Sequence, residues 1–200
     1  MLEYLVFFGS ALVLLGTIAY IRDTLRGITK PNRVTWILWG TFPLIGSAAA
    51  FSSGVGWAML PVLMSGIGPF MVLASSFVNP NAYWKLGTLD YVCGALSILA
   101  IVFWVTTQQP AIAIIFALIG EAFAAAPTLL KAWRYPETET GFAYITSFLA
   151  MLTSFPLVER WNFTEYGYPL YLAFINGLFI IAIYRKRPSG LSGTIHAGAT

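Results

Sequence analysis

Long apolar stretches alternate with short polar ones along almost the whole chain. Each apolar stretch is close to the roughly 20 residues that a helix needs to cross a bilayer. The stretches cover roughly 2–21, 34–52, 57–78, 88–107, 111–130, 142–158 and 168–184. Because the polar segments between them are short, we expect seven transmembrane helices in one compact bundle, with no separate soluble domain.

The composition supports an all-α integral membrane protein. Hydrophobic residues make up 58% of the chain and charged residues only 10%, whereas soluble domains are about a quarter charged. The first stretch has no basic start and no small-residue cleavage site, so we expect a membrane span there and no cleavable signal peptide. Cys93, the single cysteine, lies inside a span and is predicted to be a buried free thiol.

The basic residues indicate the orientation of these spans. All lysines and arginines except Arg160 follow odd-numbered spans. Loops enriched in Lys and Arg are cytoplasmic in multi-pass proteins. We therefore expect a protein of the cell (inner) membrane with its N-terminus outside and its C-terminus in the cytoplasm. The basic loops need no nucleic-acid partner to explain them.

Two parts of the chain resemble each other. The segment LLGTIAYIRDTL (14–25) aligns with LIGEAFAAAPTL (118–129), which pairs Gly16 with Gly120. Each segment ends an odd-numbered span, and a short polar turn follows it. This similarity predicts an internal repeat of three spans.

A repeat of three spans needs a connecting span if both copies are to have the same orientation. We therefore expect seven transmembrane helices arranged as 3+1+3, with two parallel three-helix repeats. The predicted units are a first repeat (1–79), a connector with a linker helix (80–108), a second repeat (109–187) and a flexible cytoplasmic tail (188–200). The only histidine, His196, falls in that tail.

The end of the fifth span resembles a known family. Pro127, Lys131 and the turn PETETGFAY (136–144) resemble the PQ-loop superfamily, which includes the SWEET sugar transporters. The stretch TKPNRVTWILWG (29–40) is similar to an uncharacterised bacterial branch of that superfamily. The resemblance implies the same 3+1+3 architecture and transport by alternating access.

The same resemblance suggests roles for several positions. SWEET transporters hold substrate with asparagines in the third and seventh spans, which implies a binding role for Asn176, with Ser65 as the polar residue available in span three. A hydrogen bond from the Asn176 amide to another helix is the structural alternative. The family's proline hinges imply that Pro43 and Pro127 move during transport, while static helix shaping is the alternative.

Glu121 is a carboxyl residue near the middle of the fifth span. The large side chains of this span form one stripe, made of Ile112, Phe116, Ile119, Phe123 and Leu130. At 100° per residue Glu121 points away from that stripe, on a face with Ala117, Ala124, Ala125 and Thr128. A carboxylate at this depth costs roughly 2.5–3.5 kcal/mol. Glu121 is therefore predicted to be a substrate or proton site, or else a neutral acid hydrogen-bonded to a neighbouring helix.

Three further residues are candidates for the lining of a binding site. Trp39 lies deep in span two and could stack on a substrate. Trp36 is closer to the interface, where either a substrate contact or a membrane-belt tryptophan fits. Ser147 belongs to a small polar stripe of span six that suits tight packing or a wet cavity.

These patterns favour a transporter over an enzyme. The sequence has no metal-ligand spacing, no nucleophile with a nearby histidine and no phosphate loop, so we expect no enzymatic activity, cofactor or metal. The predicted function is a facilitator or proton-coupled carrier of a small polar solute such as a sugar, amino acid or organic acid. The alternative is a non-transporting receptor or accessory protein on the same scaffold. Its partners would be the solute and membrane lipids, and a homo-oligomer is compatible with the sequence.

Overall fold

A computed structural model describes residues 3–106 and 109–185 of the chain, and within these ranges every regular element is helical. The α-helices are α1 (Glu3–Leu25), α2 (Arg33–Ser52), α3 (Leu60–Ser75), α4 (Thr88–Val105), α5 (Pro110–Arg134), α6 (Gly141–Leu152) and α7 (Phe163–Tyr184). Short 3-10 helices cover Trp57–Met59, Pro136–Thr138 and Phe155–Leu157. The predicted tail, with His196, lies outside the described residues.

Five helical segments of the described chain are long and apolar enough to cross a membrane, which indicates a multi-pass membrane protein. They are Tyr4–Leu25, Arg33–Ser52, Trp57–Ser75, Pro110–Arg134 and Phe163–Tyr184. Thr88–Leu99 and Gly141–Leu157 are shorter apolar helices.

The sixth apolar segment differs from the single long helix that the sequence predicts. Helix α6 stops at Leu152, and a separate 3-10 helix follows at Phe155–Leu157. Pro156 has no backbone N–H and cannot continue the α-helical hydrogen-bond ladder. This proline explains why the predicted span 142–158 is divided.

Local capping explains where several helices begin and end. The Asn32 side chain accepts a hydrogen bond from the backbone N–H of Thr35 and starts α2. Asn162 does the same for α7 through Glu165. Both are typical N-cap contacts. Gly27 follows the end of α1 with a φ of +74°, a conformation that favours glycine.

The seven α-helices pack side by side in one bundle. Helices α1 and α2 pack against α3, and helices α5 and α6 pack against α7. Helix α1 also packs on α6 and α2 on α5, while α4 lies against α5 and α2. At the α1–α6 contact, a Cβ added at Gly16 would lie 2.2 Å from a threonine hydroxyl of α6. A Cβ added at Gly9 would lie 2.1 Å from the hydroxyl of Thr153, which follows the end of α6. Glycine therefore permits this close approach.

One end of the bundle gathers most of the described basic side chains, and we call it the basic end. Hydrogen bonds there join the ends of α1, α3, α5 and α7 to the starts of α2, α4 and α6. They include Arg33 to the Ser76 carbonyl (2.8 Å), Lys131 to the Lys30 carbonyl (2.6 Å), Arg185 to the Trp133 carbonyl (2.5 Å) and Asn32 to Asp90. Successive helices therefore run in opposite directions.

The predicted inward face of α5 is confirmed, and three of the five residues in the predicted stripe of large side chains are exposed, while Ile112 and Phe116 are partly exposed. Ile119, Phe123 and Leu130 are exposed on the surface of the bundle. Glu121 and the small residues on its side are buried, namely Ala117, Ala124, Ala125 and Thr128. The large apolar side chains of α5 therefore suit contact with lipid. The small-residue face turns inward, where small side chains let neighbouring helices approach closely.

Candidate functional site

A cavity of about 80 Å³ lies inside the bundle, and every α-helix except α4 contributes to its wall. Its lining residues are Val13, Thr17, Tyr20, Trp36, Trp39, Ser65, Pro69, Glu121, Ala143, Tyr144, Ser147, Met151, Leu172, Ile175, Asn176 and Phe179. One water molecule needs a cavity volume of about 10–15 Å³, so this cavity has room for roughly five to eight water-sized groups. This size suits a small solute.

All six binding residues that the sequence predicts line this cavity, and they come from five different helices. They are Trp36, Trp39, Ser65, Glu121, Ser147 and Asn176. Neither of the predicted hinge residues, Pro43 and Pro127, lines it, although both are buried within their helices. Pro69 of α3 does line it.

Glu121 is the only carboxyl group in the cavity wall. Its side chain is almost completely buried, and the residue is 3% exposed. The Tyr168 hydroxyl of α7 donates a hydrogen bond to Glu121 Oε2 at 2.7 Å. No described basic side chain forms an ion pair with Glu121. The predicted bond to a neighbouring helix is thus present, and the same carboxyl group also faces the cavity.

Tyr168 was not identified from the sequence, and its position depends on a glycine. Tyr168 is fully buried, and its ring packs directly against Gly46 of α2. A Cβ added at Gly46 would lie 2.1 Å from the ring. Gly46 therefore provides the space in which Tyr168 reaches Glu121.

Three other polar side chains of the cavity donate hydrogen bonds to their own helices. Thr17 donates to the Val13 carbonyl at 2.9 Å, and Ser65 to the Val62 carbonyl at 2.7 Å. The Asn176 amide donates to the Leu172 carbonyl at 2.7 Å. The bond that the structure shows for Asn176 therefore lies within α7, and the alternative prediction of a bond to another helix stays a prediction. Lone pairs remain available to a bound solute.

Five aromatic side chains form a continuous wall around part of the cavity. Tyr20 contacts Trp36 with ring centroids 4.5 Å apart, and Trp36 meets Trp39 at 5.4 Å and 72°. Trp39 in turn meets Phe179 at 5.4 Å and 84°, and Phe179 stacks on Tyr144 at 4.4 Å. Steep angles between the rings give the wall surfaces in more than one direction. Trp36 is buried in this wall and is not a membrane-belt residue.

A buried polar cluster, which we call the closing cluster, lies at the basic end of the cavity. It consists of Glu139, Lys131, Tyr20 and Tyr144. Lys131 Nζ lies 2.5 Å from Glu139 Oε1, with side chains 1% and 0% exposed. The hydroxyls of Tyr20 and Tyr144 donate to Glu139 Oε2 at 2.8 and 2.7 Å. Since both tyrosines also line the cavity, the closing cluster forms its floor.

Only part of this cluster is predicted by the sequence. Lys131 and the turn containing Glu139 resemble the PQ-loop superfamily, but that resemblance does not predict their pairing. A carboxyl residue close to a lysine at the end of an apolar span is the signal that was available.

A second cavity of about 390 Å³ lies at the opposite end of the bundle. Residues 54–58 of the α2–α3 connection and 156–160 of the α6–α7 connection line it, together with Glu165. Residues from before and after α4 in the chain therefore line each of the two cavities.

Comparisons of the chain with protein-family models, curated proteins and solved structures found no match. The similarity to the PQ-loop superfamily accordingly stays a prediction, and the chemistry of the site is interpreted from its own geometry.

Proposed function

We propose that the protein is a membrane carrier that moves a small polar solute by alternating access between two three-helix halves. The first half is α1–α3 and the second half is α5–α7. The observation that carries the proposal is the central cavity, because both halves line it and a buried carboxyl group faces it. Secondary carriers commonly bind substrate at such an interface between repeats.

The helix contacts support the proposed 3+1+3 arrangement with parallel repeats. Exchanging the first half for the second turns the α1–α6 contact into the α5–α2 contact. The same exchange turns the α2–α7 contact into the α6–α3 contact, and both pairs occur. Helix α4 packs against the outside of α5 and α2, as expected for a connector. Such pseudo-symmetry supplies two equivalent units that can rock against each other.

The closing cluster is the proposed gate at the basic end. Tyr20 belongs to the first half, while Glu139, Lys131 and Tyr144 belong to the second half or its turn. Lys131 also donates to the Lys30 carbonyl in the α1–α2 connection at 2.6 Å. Separation of the halves at this end must therefore break these bonds. The positive-inside rule makes this end cytoplasmic.

Pro127 and Pro43 are the proposed hinges. Next to Pro127, Thr128 donates a hydrogen bond to the Thr35 hydroxyl of α2 at 2.9 Å. Thr35 donates in turn to the Ala124 carbonyl at 2.9 Å. A change in α5 at Pro127 would thus be transmitted directly to the opposite half.

Vesicle transport with Glu121→Gln tests the proposal. The solute is first sought by ligand-dependent thermal shifts across sugars, amino acids, organic acids and amines. Gln keeps the shape and can accept the Tyr168 hydrogen bond, but it removes ionisation. We expect gradient-driven uptake to disappear, while exchange without a gradient can survive. Glu137→Gln, at an exposed carboxylate of the α5–α6 turn, is the matched control.

Normal gradient-driven uptake by Glu121→Gln would exclude the proton role. Binding of a solute without any uptake or exchange would instead favour the receptor or accessory function. That alternative has one observation in its favour, since the fully buried Lys131–Glu139 pair would be costly to separate.

Cysteine labelling tests the proposed orientation. Ser53 is exposed at the end of α2, and Glu137 is exposed in the turn after α5. In intact cells, Ser53→Cys should react with an impermeant reagent and Glu137→Cys should not. Cys93 is buried and contributes little background. Labelling of Glu137→Cys from outside would reverse the orientation.

A further inference from the structure

The cavity combines an unpaired carboxyl group with an aromatic wall, and this combination identifies a class of ligand. We propose that it binds a small organic cation, a protonated or methylated alkylamine, with Glu121 as the counter-ion. This inference rests on the carrier proposal for the physiological role, but binding itself can be measured without transport.

The charge of the wall favours a cation over an anion. None of the residues that line the cavity is a lysine, arginine or histidine. Glu121 is the only acidic residue among them and has no basic partner in the described chain. A buried charge without a partner is strongly unfavourable. A bound cation would supply the missing partner.

Glu139 is a second buried carboxyl residue near the cavity, and its partners differ from those of Glu121. It lies just beyond the cavity floor, where it forms an ion pair with Lys131 and accepts hydrogen bonds from two tyrosine hydroxyls. The two carboxyl groups therefore do not compete for the same cation. Only Glu121 is left for a ligand.

The wall also offers hydrogen-bond acceptors to a ligand. Thr17, Ser65 and Asn176 donate hydrogens to carbonyls of their own helices. The hydroxyls of Tyr20 and Tyr144 donate to Glu139. Oxygen lone pairs are thus plentiful, and the free donors include the Trp36 indole N–H, which has no hydrogen-bond partner among the described residues. A protonated ammonium group can donate to these lone pairs, whereas a fully methylated one has no N–H and would depend on Glu121 and the aromatic rings.

The aromatic residues add a second kind of attraction. Cations bind over the faces of Trp and Tyr within about 6 Å of the ring centroid, and methylated ammonium ions are held by cages of such rings. Trp36, Trp39 and the stacked Tyr144–Phe179 pair meet at steep angles, which gives the cavity several aromatic surfaces. The space for roughly five to eight water-sized groups suits an ion of that number of heavy atoms.

Calorimetric titration of the purified full chain tests the inference with a charged ligand and its neutral isostere. The probes are tetramethylammonium, choline and the uncharged carbon analogue of choline, in which a tert-butyl group replaces the trimethylammonium group. We expect the analogue to bind at least about tenfold more weakly than choline. Equal affinities, or no binding of either cation, would overturn the proposal.

Variants locate the binding in this cavity. Glu121→Gln should weaken choline binding about tenfold or more and leave the affinity of the carbon analogue unchanged. Trp39→Leu should weaken choline binding several-fold. The matched control is Trp57→Leu, which removes an exposed tryptophan in the 3-10 helix before α3 and should bind normally. Unchanged choline binding in both cavity variants would place the cation elsewhere and overturn the inference.

Transport measurements separate this inference from the carrier proposal. Cation binding without uptake or exchange in vesicles would leave the cation site standing and remove the carrier function. Uptake of a neutral or anionic solute by a protein that binds neither cation would do the opposite.

Discussion

Glu121 and Glu139 are two buried carboxyl residues of the same bundle with opposite surroundings. Glu139 has an ion pair with Lys131 and accepts from two tyrosine hydroxyls. Glu121 accepts from Tyr168 alone and faces a cavity. A carboxyl group whose partners are all supplied by the fold holds the structure together. One that lacks a counter-ion is available to a proton or to a ligand.

The largest effect is expected from breaking the Glu139 ion pair. Lys131→Met leaves Glu139 buried without its cation, and removal of one partner of a buried pair costs about 3–5 kcal/mol. The free energy of unfolding, measured in detergent with a chemical denaturant, should fall by this amount. The double variant Lys131→Met/Glu139→Gln should recover most of the loss. A stable single variant would mean that Glu139 is not ionised in the folded protein.

An intermediate effect is expected from moving the partner of Glu121. Gly46→Ala places a methyl group in the space of the Tyr168 ring, and such overpacking costs about 1–3 kcal/mol. We also expect weaker solute binding, because Tyr168 would be displaced from Glu121. Gly177→Ala in α7 is the control, since its nearest neighbour would lie 3.8 Å away. Equal stabilities of the two variants would show that Tyr168 tolerates the shift.

The smallest effect is expected from removing the Glu121 carboxyl group itself. Glu121→Leu removes the burial cost of an acid but leaves the Tyr168 hydroxyl without its acceptor. An unsatisfied buried hydroxyl costs about 1–3 kcal/mol. The double variant Glu121→Leu/Tyr168→Phe should therefore be at least about 1 kcal/mol more stable than Glu121→Leu. Thermal unfolding of both variants measures the difference, and identical melting temperatures would argue against the hydrogen bond.

These three variants test whether Glu139 contributes more than Glu121 to the stability of the folded protein, as their contacts indicate. If loss of the Lys131–Glu139 pair were harmless and loss of Glu121 severe, the structural role would belong to Glu121. The closing cluster would then be the weaker element and a more readily opened gate.

The sequence by itself determined where the helices lie and which way α5 faces. Apolar runs are local signals, and the spacing of Ile119, Phe123 and Leu130 identified the outward side of α5. The same spacing predicted that Glu121 turns inward. The sixth apolar segment is predicted as one span, and Pro156, which lacks an N–H donor, divides it near its C-terminal end.

Only the tertiary structure decided which side chains meet. Tyr168 lies 47 positions from Glu121, and Tyr20 lies 119 positions from Glu139. Helical periodicity reports the direction of a side chain but carries no information about which residue of another helix stands opposite. That pairing depends on helix crossing and on close approaches at residues such as Gly46 and Gly16. For this reason the sequence identified a buried carboxyl group at Glu121, whereas the packed bundle decided that Glu139 has a counter-ion and that Glu121 has none among the described residues.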